Sequence, residues 1–234
     1  MSHVGRNVHE GFLGPQMGIR RNLMVDPFLV DDPELYGSLF RVLQQFRQTE
    51  GWKEKSLREI MPSAIQWTLS EYFGNAVAGP DTEERNREFY LDHSSIDSAD
   101  IHLNELRGKG LAVCAEKAAA AQNLLTFAGM ESSLIASAGC RIPEGAEAVP
   151  HYYILLHAAS GEMIYDPTNP RLFFNTEGKL INYTPAVYPV SVSQAQELLA
   201  GKAVSVEHAD GQLDAANHNI PEITRRMYVG PQGK

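Results

Sequence analysis

The sequence predicts an α+β fold in which N-terminal helices pack on an antiparallel β-sheet. In the first half of the chain, apolar residues recur at helical spacing. After about residue 133, short segments typical of strands replace them, and turn residues separate these segments. Helices followed by a meander of strands are typical of the α+β class, because the meander forms one sheet that the helices can cover.

Three helices are expected ahead of the strands. The first, over 33–49, has apolar side chains on one face. The second, over 56–73, contains Pro62, which is expected to bend or divide it. The third, over 113–127, is rich in alanine, the residue with the highest helix propensity, and Gly129 closes it.

Strands are expected in six segments: 133–138, 151–158, 162–166, 186–190, 202–207 and 223–229. Ser160 and Gly161 are a hairpin-turn signal between the second and the third. A short helix over 193–199 interrupts the series, and Ser193 with Gln196 resembles a capping box at its start. Because strands joined by tight turns pair antiparallel, these segments predict an antiparallel sheet.

The 234 residues predict one domain behind a short N-terminal segment. Residues 1–32 show no hydrophobic period and are expected to form an extended lead-in, so the single domain is expected over 33–234. Within it, the polar stretch over 81–108 is expected to be a long surface excursion with a short helix at its start. A chain of this length can bury a sizeable core without disulfide bonds.

Composition and charge exclude several classes of partner. The formal net charge of −9 lacks the basic footprint that nucleic acids and anionic membranes require. No apolar run approaches the roughly 20 residues that span a bilayer, and the polar N-terminus lacks a signal core. Two cysteines are too few for a disulfide framework. A cytoplasmic protein with reduced thiols is therefore expected, although export without a readable signal is compatible with the same sequence.

Cys114 is the first candidate for chemistry. It lies in the predicted first turn of the alanine-rich helix, and Gly108 and Gly110 before it allow the chain to turn sharply into that helix. Backbone N–H groups and the helix dipole favour negative charge there, which would stabilise a thiolate nucleophile and hold an oxyanion. Taken alone, a cysteine among alanines is more often a small buried side chain.

His151 and Asp166 could complete a catalytic site. His151 opens an apolar strand, and an imidazole is a suitable acceptor for a thiol proton. His157 faces the same side of that strand, so alternation alone does not choose between the two histidines. A two-residue turn would pair Asp166 with Leu155 and place its carboxylate on that face, where it could orient an imidazole. The plain alternative is a turn residue, because Asp-Pro is an ordinary turn opener.

Three segments together resemble the signature blocks of the transglutaminase-like superfamily, whose fold is papain-like. They are GLAVCAE, HYY and IYDPTNP, and the resemblance covers about residues 105–170. It implies that Cys114 is the nucleophile, His151 the base and Asp166 the orienting acid. It also favours His151 over His157, a choice that strand alternation leaves open.

The match to that family has departures. Its members often have a glycine two residues before the cysteine and an aromatic residue after it, where this chain has Ala112 and Ala115. The family's second oxyanion donor has no clear counterpart, and Asn104, Gln66 and Trp67 are the candidates. The calcium-loop pattern of large animal transglutaminases is not found in the sequence.

The resemblance implies a cysteine-dependent acyl-transfer enzyme whose catalytic domain spans 33–234. It would act on amide bonds of a protein or peptide through a thioester intermediate, with no cofactor and no metal. Water as the acceptor would give proteolysis or glutamine deamidation, and an amine would give cross-linking. Since bacterial members of the fold include all three outcomes, a hydrolase is the first expectation. Neither nucleic acid nor membrane is expected as a partner, and the oligomeric state is left open.

The sequence leaves three alternatives open. Arylamine N-acetyltransferases also use Cys, His and Asp in this order, but that family has a glycine-rich turn where this chain has DPTNP. A non-catalytic binding module could keep the same fold. A metal site built from Cys114, Cys140, His151 and His157 would lack the short Cys-x-x-Cys pairs that zinc sites usually have.

Overall fold

The computed structural model describes residues 6–11, 20–25, 33–75, 80–93, 98–140, 149–158, 161–174, 176, 180–208, 211–216 and 227–229. These residues form five α-helices and three sheets, of which one is a four-stranded antiparallel sheet. The predicted α+β class is therefore confirmed. None of these five helices is long and apolar enough to cross a membrane.

The helices of the described ranges lie where the sequence predicts them. They are α1 (Pro33–Gln48), α2 (Leu57–Phe73), α3 (Pro80–Asp92), α4 (Cys114–Phe127) and α5 (Val192–Leu199). α2 continues through Pro62 as one helix, so this proline does not divide it. Gly129 follows α4 with a φ of 70°, in the left-handed region expected of a helix stop.

Capping boxes fix the starts of two helices. In α2, the Ser56 hydroxyl accepts the Glu59 N–H (3.3 Å), and the Glu59 carboxylate accepts the Ser56 N–H (2.8 Å). In α5, Ser191 and Gln194 make the same pair of bonds. The capping box expected at Ser193 is therefore wrong by two residues, because α5 begins before that serine.

Ten strands form three sheets within the described residues. They are β1 (Arg6–Gly11), β2 (Arg20–Val25), β3 (Ser98–His102), β4 (Ser132–Cys140), β5 (Val149–Ala158), β6 (Gly161–Phe174), β7 (Leu180–Val190), β8 (Ala203–His208), β9 (Gly211–Ala216) and β10 (Met227–Val229). β4 to β7 pair antiparallel in sequential order. β8 pairs with β9, and the third sheet has the order β10, β1, β2, β3 with a parallel β2–β3 pair.

Five of the six predicted strands coincide with β4 to β8. In the sixth, over 223–229, the described part is Met227–Val229, and the rest lies outside the described residues. Ser160 of the predicted turn lies outside them as well. Parts of the expected lead-in over 1–32 form β1 and β2, and the division of the chain at residue 33 stays a prediction.

The hairpin of β5 and β6 has a register different from the predicted one. Leu155 pairs with Ile164 instead of Asp166, because Ala158 already pairs with Gly161 and the connection comes earlier than expected. The observed partner of Leu155 lies two positions before the predicted one, so the register error is an even number of residues. Since side chains alternate along a strand, the predicted face of Asp166 is unaffected.

The polar stretch over 81–108 is not the surface excursion expected from its composition. It contains most of α3 together with β3, and Tyr90, Ile101 and Leu106 are fully buried. A few apolar side chains in a polar stretch are enough to anchor it in the core, so average polarity was misleading. The Tyr90 hydroxyl also donates to Glu116 at the start of α4 (2.9 Å), which connects this stretch to the candidate site.

Helix α4 lies in the middle of the fold. It contacts β4, β5 and β6 as well as α2, and every residue from 116 to 125 is buried. A helix buried on all sides needs small side chains where its neighbours approach closely, and the alanines of α4 provide them. The start of α4 is thereby held against the two strands that carry His151 and Asp166.

Candidate active site

Cys114 is the first residue of α4, and its side chain is partly exposed. Val113 before it is extended, with φ −113° and ψ −161°. The Glu116 carboxylate, which is fully buried, accepts the Val113 N–H (3.0 Å) and the Tyr90 hydroxyl (2.9 Å). Glu116 therefore fixes the point at which the chain enters the helix, and Cys114 stands at the positive end of the helix dipole.

The approach to Cys114 is joined to the end of α2 by backbone hydrogen bonds. The Gly108 N–H donates to the Tyr72 carbonyl (2.9 Å), and the Gly110 N–H donates to the Phe73 carbonyl (2.7 Å). Gly74 has a φ of 79°, and a Cβ there would lie 3.3 Å from the backbone of Gly108. These glycines allow two backbone segments to touch, which sets the position of the chain that leads into α4.

Two asparagine side chains hold the same approach segment. The Asn75 amide donates to the Ala112 carbonyl (2.9 Å), and the Asn86 amide donates to the Leu111 carbonyl (2.9 Å). Both carbonyls belong to buried residues that lie outside the helices and strands. The side-chain bonds satisfy them, and they replace regular structure in fixing the approach to Cys114.

The structure brings His151 and Asp166 into direct contact. The Nε2 atom of His151 lies 2.9 Å from Oδ2 of Asp166, and the two residues are 7% and 0% exposed. A carboxylate only accepts, so Nε2 carries a proton in this bond and Nδ1 is the ring nitrogen left for other partners. Cys114 lies near enough to the ring of His151 to raise its pKa. The three residues that the sequence predicted as a site therefore lie together.

An irregularity in β6 positions the Asp166 carboxylate. Asp166 pairs with Ala186 and Arg171 pairs with Thr184, so five positions along β6 correspond to two along β7. In the extra residues the backbone turns back on Asp166, whose Oδ1 accepts the N–H groups of Thr168 (2.9 Å) and residue 169 (3.3 Å). Asp166 is thus both a turn residue and the partner of His151, and the two sequence interpretations are compatible.

Side chains also secure the turn that holds Asp166. The Asn169 amide donates to Oδ2 of Asp166 (2.9 Å). The buried Gln66 amide of α2 donates to the Pro167 carbonyl (3.1 Å). The Tyr165 hydroxyl, on β6, donates to the Pro62 carbonyl of α2 (3.3 Å). These bonds attach the turn to α2. Contacts within the turn and contacts with α2 therefore hold the Asp166 carboxylate in place together.

Charge and burial together set the protonation of the pair. Burial, the largest effect, lowers the pKa of His151, but the charge and hydrogen bond of Asp166 and the contact with Cys114 outweigh it, and the pKa is raised well above its ordinary value. Burial likewise raises the pKa of Asp166, but His151, Asn169 and the Thr168 N–H outweigh it, and that pKa is lowered. Both shifts favour the charged pair.

His157, the rival histidine, is held elsewhere. Its Nδ1 lies 2.6 Å from a carboxylate oxygen of Glu162, and its Nε2 lies 3.2 Å from the Ser133 hydroxyl. Both ring nitrogens therefore have partners that are separate from Cys114 and Asp166. Strand alternation did not separate the two histidines, but their contacts do.

The three candidates for a second oxyanion donor have other surroundings. Gln66 donates to the Pro167 carbonyl, the Trp67 ring packs against Phe46 on α1, and Asn104 is exposed. The first-turn N–H groups of α4 are the donors that helix geometry leaves available beside Cys114. The contact of Gln66 with Pro167 could not be predicted from the sequence, because the packing that brings α2 against this turn leaves no trace in the local pattern.

The described side chains contain no group of three or more His, Cys, Asp or Glu residues placed to hold a metal ion. Cys140 contributes its backbone to β4 opposite Val149. His151 and His157, the two histidines of the alternative metal site, contact carboxylates of separate residues.

The chain was compared with protein-family models and with curated proteins. No protein-family model matches the chain, and a search of curated proteins finds no significant match. The likeness of the three short motifs to the transglutaminase-like superfamily therefore remains a resemblance of sequence. What can be said of function depends on the geometry around Cys114.

Proposed function

We propose that this chain is a cysteine-dependent acyl-transfer enzyme of the transglutaminase-like, papain-like type, which acts on amide bonds of a protein or peptide. One observation carries the proposal. A cysteine at the start of a buried helix lies close enough to an imidazole to raise its pKa, and that imidazole is bonded to a buried carboxylate. This is the nucleophile, base and orienting acid arrangement of thiol acyl-transfer enzymes.

The first half of the reaction forms a thioester. His151 takes the thiol proton of Cys114 at Nδ1, and the thiolate attacks the carbonyl carbon of the substrate amide. The electron pair moves onto the carbonyl oxygen, and backbone N–H groups of the first turn of α4 hold this oxyanion. When the oxyanion collapses, the C–N bond breaks. The leaving amine or ammonia takes the proton from His151.

The second half releases the acyl group. Water or an amine gives a proton to His151 as it attacks the thioester carbonyl, and the Cys114 sulfur leaves and recovers that proton. Asp166 stabilises the imidazolium in both halves and keeps Nδ1 aimed at the sulfur. Water gives a carboxylic acid, by proteolysis or by glutamine deamidation, and an amine gives a new amide. Hydrolysis is the outcome we expect first.

A mass-spectrometric screen tests the proposal. The full chain is incubated with a peptide library rich in glutamine, with and without a fluorescent primary amine. Amine incorporation, conversion of glutamine to glutamate, or cleavage identifies the acceptor. Cys114→Ala should abolish every product, whereas the matched variant Cys140→Ala should keep it. Product formation by folded Cys114→Ala, or no product from any peptide together with an unreactive Cys114 thiol, would overturn the proposal.

A further inference from the structure

A buried lysine lies beside the candidate nucleophile and has no part in the reaction described above. Lys117 follows Cys114 by three positions in α4 and is 1% exposed. Residues three apart on a helix are neighbours on its surface, with Cβ atoms about 5–6 Å apart. The Nζ atom donates to the Asn75 carbonyl (3.0 Å), so the side chain is anchored at its far end.

This position is unfavourable for a lysine on two grounds. Cations are disfavoured near the positive N-terminal end of a helix, and Lys117 lies in the first turns of α4. Burial also removes the ammonium group from water, and it is the main reason why the pKa of Lys117 falls to about 8. Asp166, Glu116 and Cys114 each act against that fall. The negative charge of these groups therefore favours the charged form of Lys117.

We propose that Lys117 is a positioning residue of this site, whose anchored ammonium group stabilises the Cys114 thiolate and the Asp166 carboxylate together. The inference rests on the proposed function, in which both groups act as anions. Attraction between two charges is reciprocal, so the carboxylate and thiolate that stabilise the lysine cation are stabilised by it. Because α4 packs against β6, one side chain on α4 can act on a residue of each element.

The anchor also connects Lys117 to the backbone that leads into the site. Asn75, whose carbonyl accepts from Lys117, donates its own amide to the Ala112 carbonyl (2.9 Å). The lysine on α4 and the segment before Cys114 are thereby joined through one asparagine. Removing the charge and removing the anchor are therefore separable changes, and the test uses both.

The test measures how fast iodoacetamide alkylates Cys114 as a function of pH, with the modified peptide identified by mass spectrometry. Lys117→Met removes charge and anchor, Lys117→Gln removes the charge but keeps a donor, and Lys117→Arg keeps the charge. The exposed Lys202→Met is the matched control. We expect the rate at pH 6 to fall about tenfold in the Met and Gln variants. The Arg and Lys202 variants should stay near the wild-type rate.

Circular dichroism and thermal unfolding check that each variant is folded. If Lys117→Met does not fold, the alkylation rate of Lys117→Gln is the one that decides. Equal rates in wild type, Met and Gln variants would overturn the role of Lys117 alone. A rate that falls in Lys117→Arg as strongly as in the neutral variants would also overturn it, because the charge would then be irrelevant. Cys114 should be alkylated faster in the wild type than in His151→Gln. If it is not, the proposed function fails first, and the role of Lys117 fails with it.

Discussion

The Nε2 atom of His151, on β5, lies 2.9 Å from the Oδ2 atom of Asp166, at the point where the pairing of β6 with β7 becomes irregular. The same carboxylate accepts backbone N–H groups from its own turn, so it is fixed before it orients the imidazole. The ring is left with Nδ1 free to meet Cys114. One carboxylate therefore connects the folding of the turn to the chemistry of the thiol.

Replacing the two histidines of β5 one at a time should affect the reactivity of Cys114 at one position and not at the other. We expect His151→Gln to abolish the enhanced alkylation of Cys114 and all product formation, because the imidazole is the group proposed to take the thiol proton. His157→Gln is the matched change on the same strand, and among the described residues its ring loses contacts with Glu162 and Ser133. It should keep the alkylation rate within about twofold of wild type, since it touches neither member of the pair. Equal loss in both variants would contradict the assignment of the base.

Asp166→Asn should lower the pKa of His151. The raised pKa depends on the carboxylate charge and hydrogen bond, and without them the burial of the ring, which lowers the pKa, would dominate. NMR titration of labelled histidine side chains measures this directly, with the His157 signals as an internal reference. A titration of His151 that is unchanged in Asp166→Asn would show that the pair is not coupled as described.

The same pair predicts how stability varies with pH. The pKa of His151 is raised, so its contribution is full below about pH 6.5 and is lost as pH rises through the folded-state pKa. The pKa of Asp166 is lowered, so its contribution is full above about pH 4 and is lost as pH falls through the folded-state pKa. Urea unfolding should therefore show the largest deficit of Asp166→Asn between about pH 4 and 6.5. A deficit independent of pH would argue against an ion pair.

Gln66→Leu should destabilise the fold and slow the reaction. The variant leaves the buried Pro167 carbonyl without its donor, which costs about 1–3 kcal/mol, and it loosens the turn that holds Asp166. Gln44→Leu on the exposed side of α1 is the control, and its unfolding free energy should change by less than about 0.5 kcal/mol. Chemical denaturation and alkylation of Cys114 give both quantities. Wild-type stability in Gln66→Leu would exclude this role.

Gly74→Ala should be more harmful than Gly51→Ala, although both glycines have a φ near 80°. A left-handed alanine costs about 1–2 kcal/mol at either position. At Gly51 a Cβ meets nothing within 4 Å, whereas at Gly74 it lies 3.3 Å from the backbone of Gly108. The segment before Cys114 must then move, so we expect a larger loss of stability and slower alkylation at Gly74 only. Identical behaviour of the two variants in urea unfolding would contradict the close contact.

Much of the fold can be read from local pattern. Helical spacing located α1, α2 and α4, and alternation located β4 to β8, because each element buries one side at a fixed period. The polar stretch containing α3 was misjudged, since a few buried apolar side chains outweigh its average composition. The β5–β6 register was wrong because turn position, unlike face, is weakly encoded.

Local sequence pattern is enough to predict that a cysteine begins a helix and that a histidine and an aspartate share one face of a hairpin. Which histidine lies beside the cysteine, and which buried glutamine and lysine lie near them, depends on how the elements pack in three dimensions. Periodicity reports which side of an element is buried, whereas contacts such as that of Gln66 with Pro167 join residues about a hundred positions apart and depend on how whole elements pack.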